Sequence, residues 1–166
     1  MLVDKNIKNK KMNTETKSRD INKDAVILFN NGVEKSNLND YNGAINDFDK
    51  ATNIRPNYAI PYYNRAFIKM TLKDYSGAIQ DFNMAIELNP ENVMSYYFVN
   101  SYHNRGRAKF SLKDYKGAIT DFSKAIEEKP KFSFAYYNRG ICKIKLNEKI
   151  GGELDLAKAK ELGYRI

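Results

Sequence analysis

The sequence predicts an all-α fold, a solenoid of four repeated helix-turn-helix units. Three observations carry this. The string Leu-x-Asp-Tyr-x-Gly-Ala-Ile-x-Asp-Phe-x-x-Ala runs from Leu38 to Ala51, again from Leu72 to Ala85 and again from Leu112 to Ala125, with a weaker copy from Leu146 to Ala159. A proline follows the last Ala of the first three copies by five residues, at Pro56, Pro90 and Pro130. A second block, Tyr-Tyr-Asn-Arg and a small residue, stands before two of the copies at Tyr62 to Ala66 and Tyr136 to Gly140, with Tyr102 to Gly106 as its variant. Self-similarity at a period of 20–50 residues is the mark of stacked repeats, each too small to bury its own apolar face.

The second helix of each unit is the clearest element. Ala44, Phe48 and Ala51 are spaced four and three apart, as are Ala78, Phe82 and Ala85, Ala118, Phe122 and Ala125, and Gly152, Leu156 and Ala159. That spacing puts small, bulky and small residues on one helical stripe, where backbones can approach and a large side chain fills the gap. Leu38, Leu72, Leu112 and Leu146 close the first helices, and Asp40, Asp74, Asp114 and Glu148 stand where a carboxylate accepts the unpaired amides of the next helix. The prolines end the second helices, since they lack an N–H and clash with a further turn.

These landmarks resemble the tetratricopeptide repeat, whose 34-residue unit is a pair of antiparallel helices. The resemblance implies a right-handed α-solenoid of four units, at residues 25–58, 59–92, 99–132 and 133–166, the last degenerate and capping. Residues 93–98 are then an insert, and Tyr96, Tyr97 and Phe98 within it are expected to reach beyond the regular stack. Six helical residues turn through about 600°, so the insert changes the register whether it is helix or loop. In the fourth unit Gly151 and Gly152 lower helix propensity, by roughly 1 kcal/mol each relative to Ala, and are expected to fray its turn. Residues 1–24 lack periodicity and are read as a disordered basic tail, with Met12 a conceivable second start.

Composition excludes several classes. No run approaches the roughly 18 apolar residues of a membrane helix, and the N-terminus lacks the apolar core of a secretory signal, so a cytoplasmic protein is expected. One cysteine, Cys142, and one histidine, His103, leave no disulfide framework and no clustered metal ligands. No phosphate-binding glycine loop, HExxH or GxSxG is present, so no catalytic residue, metal or cofactor is assigned and an enzyme is not expected. Cys142 reads as a small core residue and His103 as a substituted aromatic, with a pH-sensitive ligand contact as its functional alternative.

The informative residues lie on the first helices, which in the family line a concave groove. The resemblance assigns to that groove Phe29 and Asn30, Tyr63, Asn64 and Phe67, His103, Asn104 and Arg107, and Tyr137 and Asn138. The asparagines recur once per unit, either as an amide ladder for a bound backbone or as bridges between units. The family's carboxylate clamp for chaperone tails is not matched: its outer places hold Phe29 and Val33, then Asn100 and Asn104, or Tyr63 and Phe67, then Phe134 and Asn138. Arg65, Arg105 and Arg139 are expected to pair with carboxylates among Asp47, Asp81, Asp121 and Asp155. Lys35, Lys69, Lys109 and Lys143 form a column, read as a solvated face with a basic strip as the alternative.

The function expected is a protein-protein interaction scaffold that holds a peptide or helix in the groove. The alternative is a nucleic-acid-binding accessory protein using the tail and the lysine column, suggested by 28 Lys/Arg against 20 Asp/Glu and a net charge of +8. Open-ended stacks can also self-associate, by end-to-end docking.

Overall fold

The computed structural model describes residues 22–88 and 95–165. The expected tail up to residue 21, Pro90, and Val93 of the insert lie outside the described residues. Among them are eight α-helices and no strand: α1 (22–37), α2 (Tyr41–Ile54), α3 (Ala59–Thr71), α4 (Tyr75–Glu87), α5 (Ser95–Ser111), α6 (Tyr115–Glu128), α7 (Ser133–Lys145) and α8 (Lys149–Glu161). Residues 22–24, expected in the tail, belong to α1. The chain falls into two compact units, one up to Pro61 and one from Tyr62 onward. In the second unit α4 packs on α5, α5 on α6, α6 on α7 and α7 on α8.

Each hairpin is closed by the same turn. Asn39, Lys73, Lys113 and Asn147 take positive φ of 62–65°, a left-handed step that reverses the chain. The next residue caps the second helix: Asp40, Asp74 and Asp114 each accept the amide N–H three residues on, from Gly43, Gly77 and Gly117 at 2.9 Å. Those glycines are required by the cap itself, because a Cβ on Gly77 would lie 2.1 Å from the Asp74 carboxylate. Glu148 makes no such bond, and a Cβ on Gly151 would meet nothing closer than the Lys143 stem at 3.5 Å.

The expected core is observed. Phe48, Phe82 and Phe122 are completely buried, flanked by buried alanines on the same stripe. Phe48 lies so close to Gly32, and Phe122 to Gly106, that a Cβ on either glycine would approach the ring within 2.6 Å and 2.8 Å. The fourth unit uses the same rule with glycine on both helices: a Cβ on Gly152 would stand 2.6 Å from Ile144 and 2.9 Å from the Gly140 carbonyl. The glycine pair expected to fray this unit therefore sits inside a continuous α8, and Gly152 is the point of closest helix approach.

Arg and Lys both bind the recurrent aspartate of their own hairpin. Arg65 holds Asp81 through two N–H groups, Arg105 holds Asp121 at 2.6 and 2.9 Å, and Arg139 holds Asp155 at 2.7 and 2.8 Å. Arg105 and Arg139 also reach back one hairpin, to Asn83 at 2.7 Å and Ser123 at 3.1 Å. The lysine column closes on the same carboxylates: Lys35 on Asp47 at 2.6 Å, and Lys69, Lys109 and Lys143 on Asp81, Asp121 and Asp155 at 2.8 Å. The strip is thus neither a solvated face nor a free basic track, because each ammonium is matched by an aspartate. Burial pushes the Asp155 carboxyl up, but hydrogen bonds from Arg139 and Lys143 outweigh it and hold the group below the usual carboxylate range.

Among the described residues one buried polar side-chain atom lacks a partner. The Ser101 hydroxyl is buried with no hydrogen bond, at the place where the neighbouring hairpins carry buried Pro61 and Ala135. Ser101→Ala removes an unsatisfied group without opening a sizeable cavity. It should stabilise the fold by about 1 kcal/mol, read as a higher denaturant midpoint at unchanged slope.

Candidate functional site

The site is built on the faces of α3, α5 and α7 that carry the expected groove residues. The face is less open than expected, because each ring at the centre of a first helix is covered by an aromatic residue from beyond the second helix. Phe29, in the first unit, meets Tyr58 at 5.5 Å between ring centres. In the second unit Tyr63 meets Tyr97 at 5.1 Å, His103 meets Phe132 at 4.8 Å, and Tyr137 stacks on Tyr164 at 4.2 Å. Edge and stacked contacts of this kind add to area burial. Sequence reasoning missed these covering rings. Two had a signal, since Tyr58 and Phe132 each follow a proline by two residues.

The insert supplies the cover for Tyr63. Ser95 to Phe98 are helical and extend α5 to 17 residues, against 13 in α3 and α7. Tyr97 packs on Tyr63 and Phe98 on Tyr102, so of the three aromatic residues expected beyond the stack only Tyr96, 68% exposed, points outward. Burial, then the neighbouring Tyr96 and Tyr97 hydroxyls, push the Tyr63 phenol up to about 12.

The asparagines act as bridges where the structure shows their bonds. Asn104 is buried and its amide donates to Tyr63 Oη at 3.4 Å. Asn138 meets His103 Nε2 at 3.0 Å, the same relation one hairpin further along. Asn64 is half-buried, and Asn30 is exposed on α1. His103 is therefore a substituted aromatic in its packing, not an open ligand. Burial, and secondarily the Arg107 charge, depress it to about 4, so it is neutral at physiological pH. The Cys142 thiol, buried against Ala118 and Phe122, is pushed up to about 12 by desolvation and is unreactive.

What remains open lies about one helical turn from the covered rings, four residues on at Phe67 and Arg107 and three residues back at Phe134. Phe67 is 50% exposed on α3, Phe134 is 54% exposed on α7, and Arg107 is exposed on α5. Arg107 donates to the Asn104 side-chain oxygen at 3.3 Å. Unlike Arg65, Arg105 and Arg139, it meets no carboxylate among the described residues. Beside it lies a cavity of about 290 Å³, lined by Met70, Tyr75, Arg107, Phe110, Ser111 and Asn138. Tyr75 and Ser111 were not expected there. They belong to a second helix and to a helix end, outside the first-helix pattern. Among the described residues no three His, Cys, Asp or Glu groups converge as metal ligands, and no helix is long and apolar enough to cross a membrane.

The hairpin geometry and its recurrent landmarks define a helical-repeat protein. Tetratricopeptide-repeat family profiles match residues 37–73, 59–92 and 99–132, and the chain belongs to that family. No curated protein sequence matches it. Among solved structures it is similar to MamA from Desulfovibrio magneticus, at 22% identity and a TM-score of 0.74, covering 84% of this chain and 75% of that one. It is also similar to the first TPR of Spaghetti (RPAP3), a structure bound to an HSP90 peptide, at 27% identity and a TM-score of 0.62, covering 81% and 94%. The Arabidopsis OM64 TPR domain aligns at 25% identity and a TM-score of 0.64, covering 77% and 98%. The family is one of protein-interaction scaffolds in general.

Proposed function

We propose that this chain is an interaction scaffold that holds a protein partner, as a peptide or helix, against the open face of α3, α5 and α7. Arg107 takes a carboxylate of the partner, and the cavity beside it takes a neighbouring apolar side chain. The observation that carries this reading is an exposed guanidinium that meets no carboxylate among the described residues, set beside a cavity lined by Met70 and Phe110. Arginine is suited to planar, two-pronged recognition of carboxylates. Phe67, at the place in α3 equivalent to Arg107, is exposed as an apolar anchor, and Tyr96 and Phe134 are exposed toward the N-terminal ends of α5 and α7.

The peptide printed with the RPAP3 structure supports a peptide mode for repeats of this kind. The family's clamp is not the means here, because its outer places hold Phe29 and Val33, then Asn100 and Asn104. Tyr63 and Tyr137 lie under covering rings, so their replacement would disturb packing before it disturbed binding.

A peptide-display selection on the chain should enrich Asp or Glu beside Leu, Phe or Met. A selected peptide should lose about tenfold or more in affinity when Arg107→Glu is introduced, the size of one charge-assisted pair. Its acid-to-amide analogue should bind the wild type equally poorly. Selection without acidic enrichment, or unchanged affinity in Arg107→Glu, would contradict the assignment.

A further inference from the structure

Arg107 makes half of a contact that the other arginines complete. Arg65, Arg105 and Arg139 each present the Nε–Nη2 edge of the guanidinium to both oxygens of an aspartate, Asp81, Asp121 and Asp155 in turn. Arg105 and Arg139 add a neutral side-chain oxygen on Nη1, from Asn83 and Ser123. Arg107 has the second of these contacts and not the first. Its Nη1 donates to Asn104 Oδ1 at 3.3 Å, and its Nε–Nη2 edge meets no carboxylate among the described residues. That edge, with two parallel N–H groups, is the one that fits a carboxylate.

The oxygen on Nη1 is held from behind. Asn104 is 5% exposed, and because Arg107 can only donate, Oδ1 must face it. The other end of the amide is taken by Tyr63, whose Oη accepts from Nδ2 at 3.4 Å. With both ends engaged the amide has one orientation. The phenol is itself set by rings on two sides, Phe82 at 5.9 Å and Tyr97, from the insert, at 5.1 Å. An amide differs here from an aspartate in one respect. It orients the guanidinium and leaves its charge uncompensated, whereas Asp121 neutralises Arg105.

We infer that Asn104 is a positioning residue for the site proposed above, on which this inference rests: it steers Arg107 through Nη1 and keeps the Nε–Nη2 edge free for the partner's carboxylate. The partner's acid group then completes on Arg107 the pair that Asp81, Asp121 and Asp155 complete on the other three arginines.

Calorimetric binding of the display-selected acidic peptide and of its acid-to-amide analogue to the full chain tests this. Asn104→Leu keeps a similar size without a polar atom, and should weaken the acidic peptide about fivefold, as expected for one hydrogen bond. The amide analogue should bind this variant as it binds the wild type, which a merely structural role for Asn104 would not produce. Tyr63→Phe keeps the ring and its packing, and Phe29 stands at the equivalent place in α1, so this second variant should fold even where the first does not. It should show the same selective loss, of about twofold to threefold. An equal loss for both peptides, or no loss in either variant while Arg107→Glu still weakens the acidic peptide, overturns the positioning role and leaves the site standing. Binding of the acidic peptide to Arg107→Glu as tight as to the wild type removes the site, and this inference with it.

Discussion

Asp121→Ala is expected to destabilise the chain by about 3–5 kcal/mol, the cost of removing one partner from a buried ionic group. Asp121 is 1% exposed and its two oxygens hold Arg105 at 2.6 and 2.9 Å and Lys109 at 2.8 Å. Without the carboxylate two cations remain close together on the inner side of the hairpin. Arg105 would also lose the brace that lets it reach Asn83 on α4. A contrast lies one turn away: Lys124 pairs with Glu127 at 2.7 Å, with both side chains more than half exposed. Lys124→Ala should leave the urea midpoint almost unchanged, as exposed pairs do. Urea denaturation of the two variants checks both expectations, and a similarly small effect for Asp121→Ala would show that its ion group is not coupled to folding.

Acid should weaken the fold before the carboxylates titrate. His103 is the only histidine, it is depressed to about 4 in the folded chain, and its unfolded value is near 6.5. Between those values the unfolded chain binds more protons. This contribution is therefore complete above about pH 6.5 and is lost as pH falls toward 4. The loss from pH 7 to pH 5 is about 2 kcal/mol. His103→Tyr should abolish it. Tyrosine occupies the equivalent place in α3, where Tyr63 bonds Asn104 as His103 bonds Asn138. Denaturation at pH 7 and pH 5 for both proteins measures the difference, and an equal acid loss in His103→Tyr would place the sensitivity elsewhere.

The second-helix stripe was legible in the sequence because each of its positions has a single packing task. Ala78, Phe82 and Ala85 cannot exchange roles, so the pattern recurs in the letters as it does in space. The face of the first helices was legible only in outline. Tyr63 and Phe67 are both aromatic and four residues apart, yet one is covered and the other is half exposed. The difference is made by Tyr97, which reaches Tyr63 only because the insert adds helix at that point. Tyr164 does the same for Tyr137 from beyond α8. Such covers depend on a chain segment some thirty residues away, which helical periodicity does not encode. The lysine column was visible as a recurrence, but its partners stand twelve residues on, across the hairpin turn. Their pairing removes the strip on which a nucleic-acid reading relied.

The central claim is that a partner binds at the Arg107 cavity on the open face of α3, α5 and α7. Amide chemical-shift mapping with a display-selected acidic peptide tests it most directly. The account predicts shifts gathered at Phe67, Met70, Arg107, Phe110 and Asn138, disappearing in Arg107→Glu. Shifts gathered on the outer faces of α4 and α6, with the Arg107 region unmoved, would contradict it.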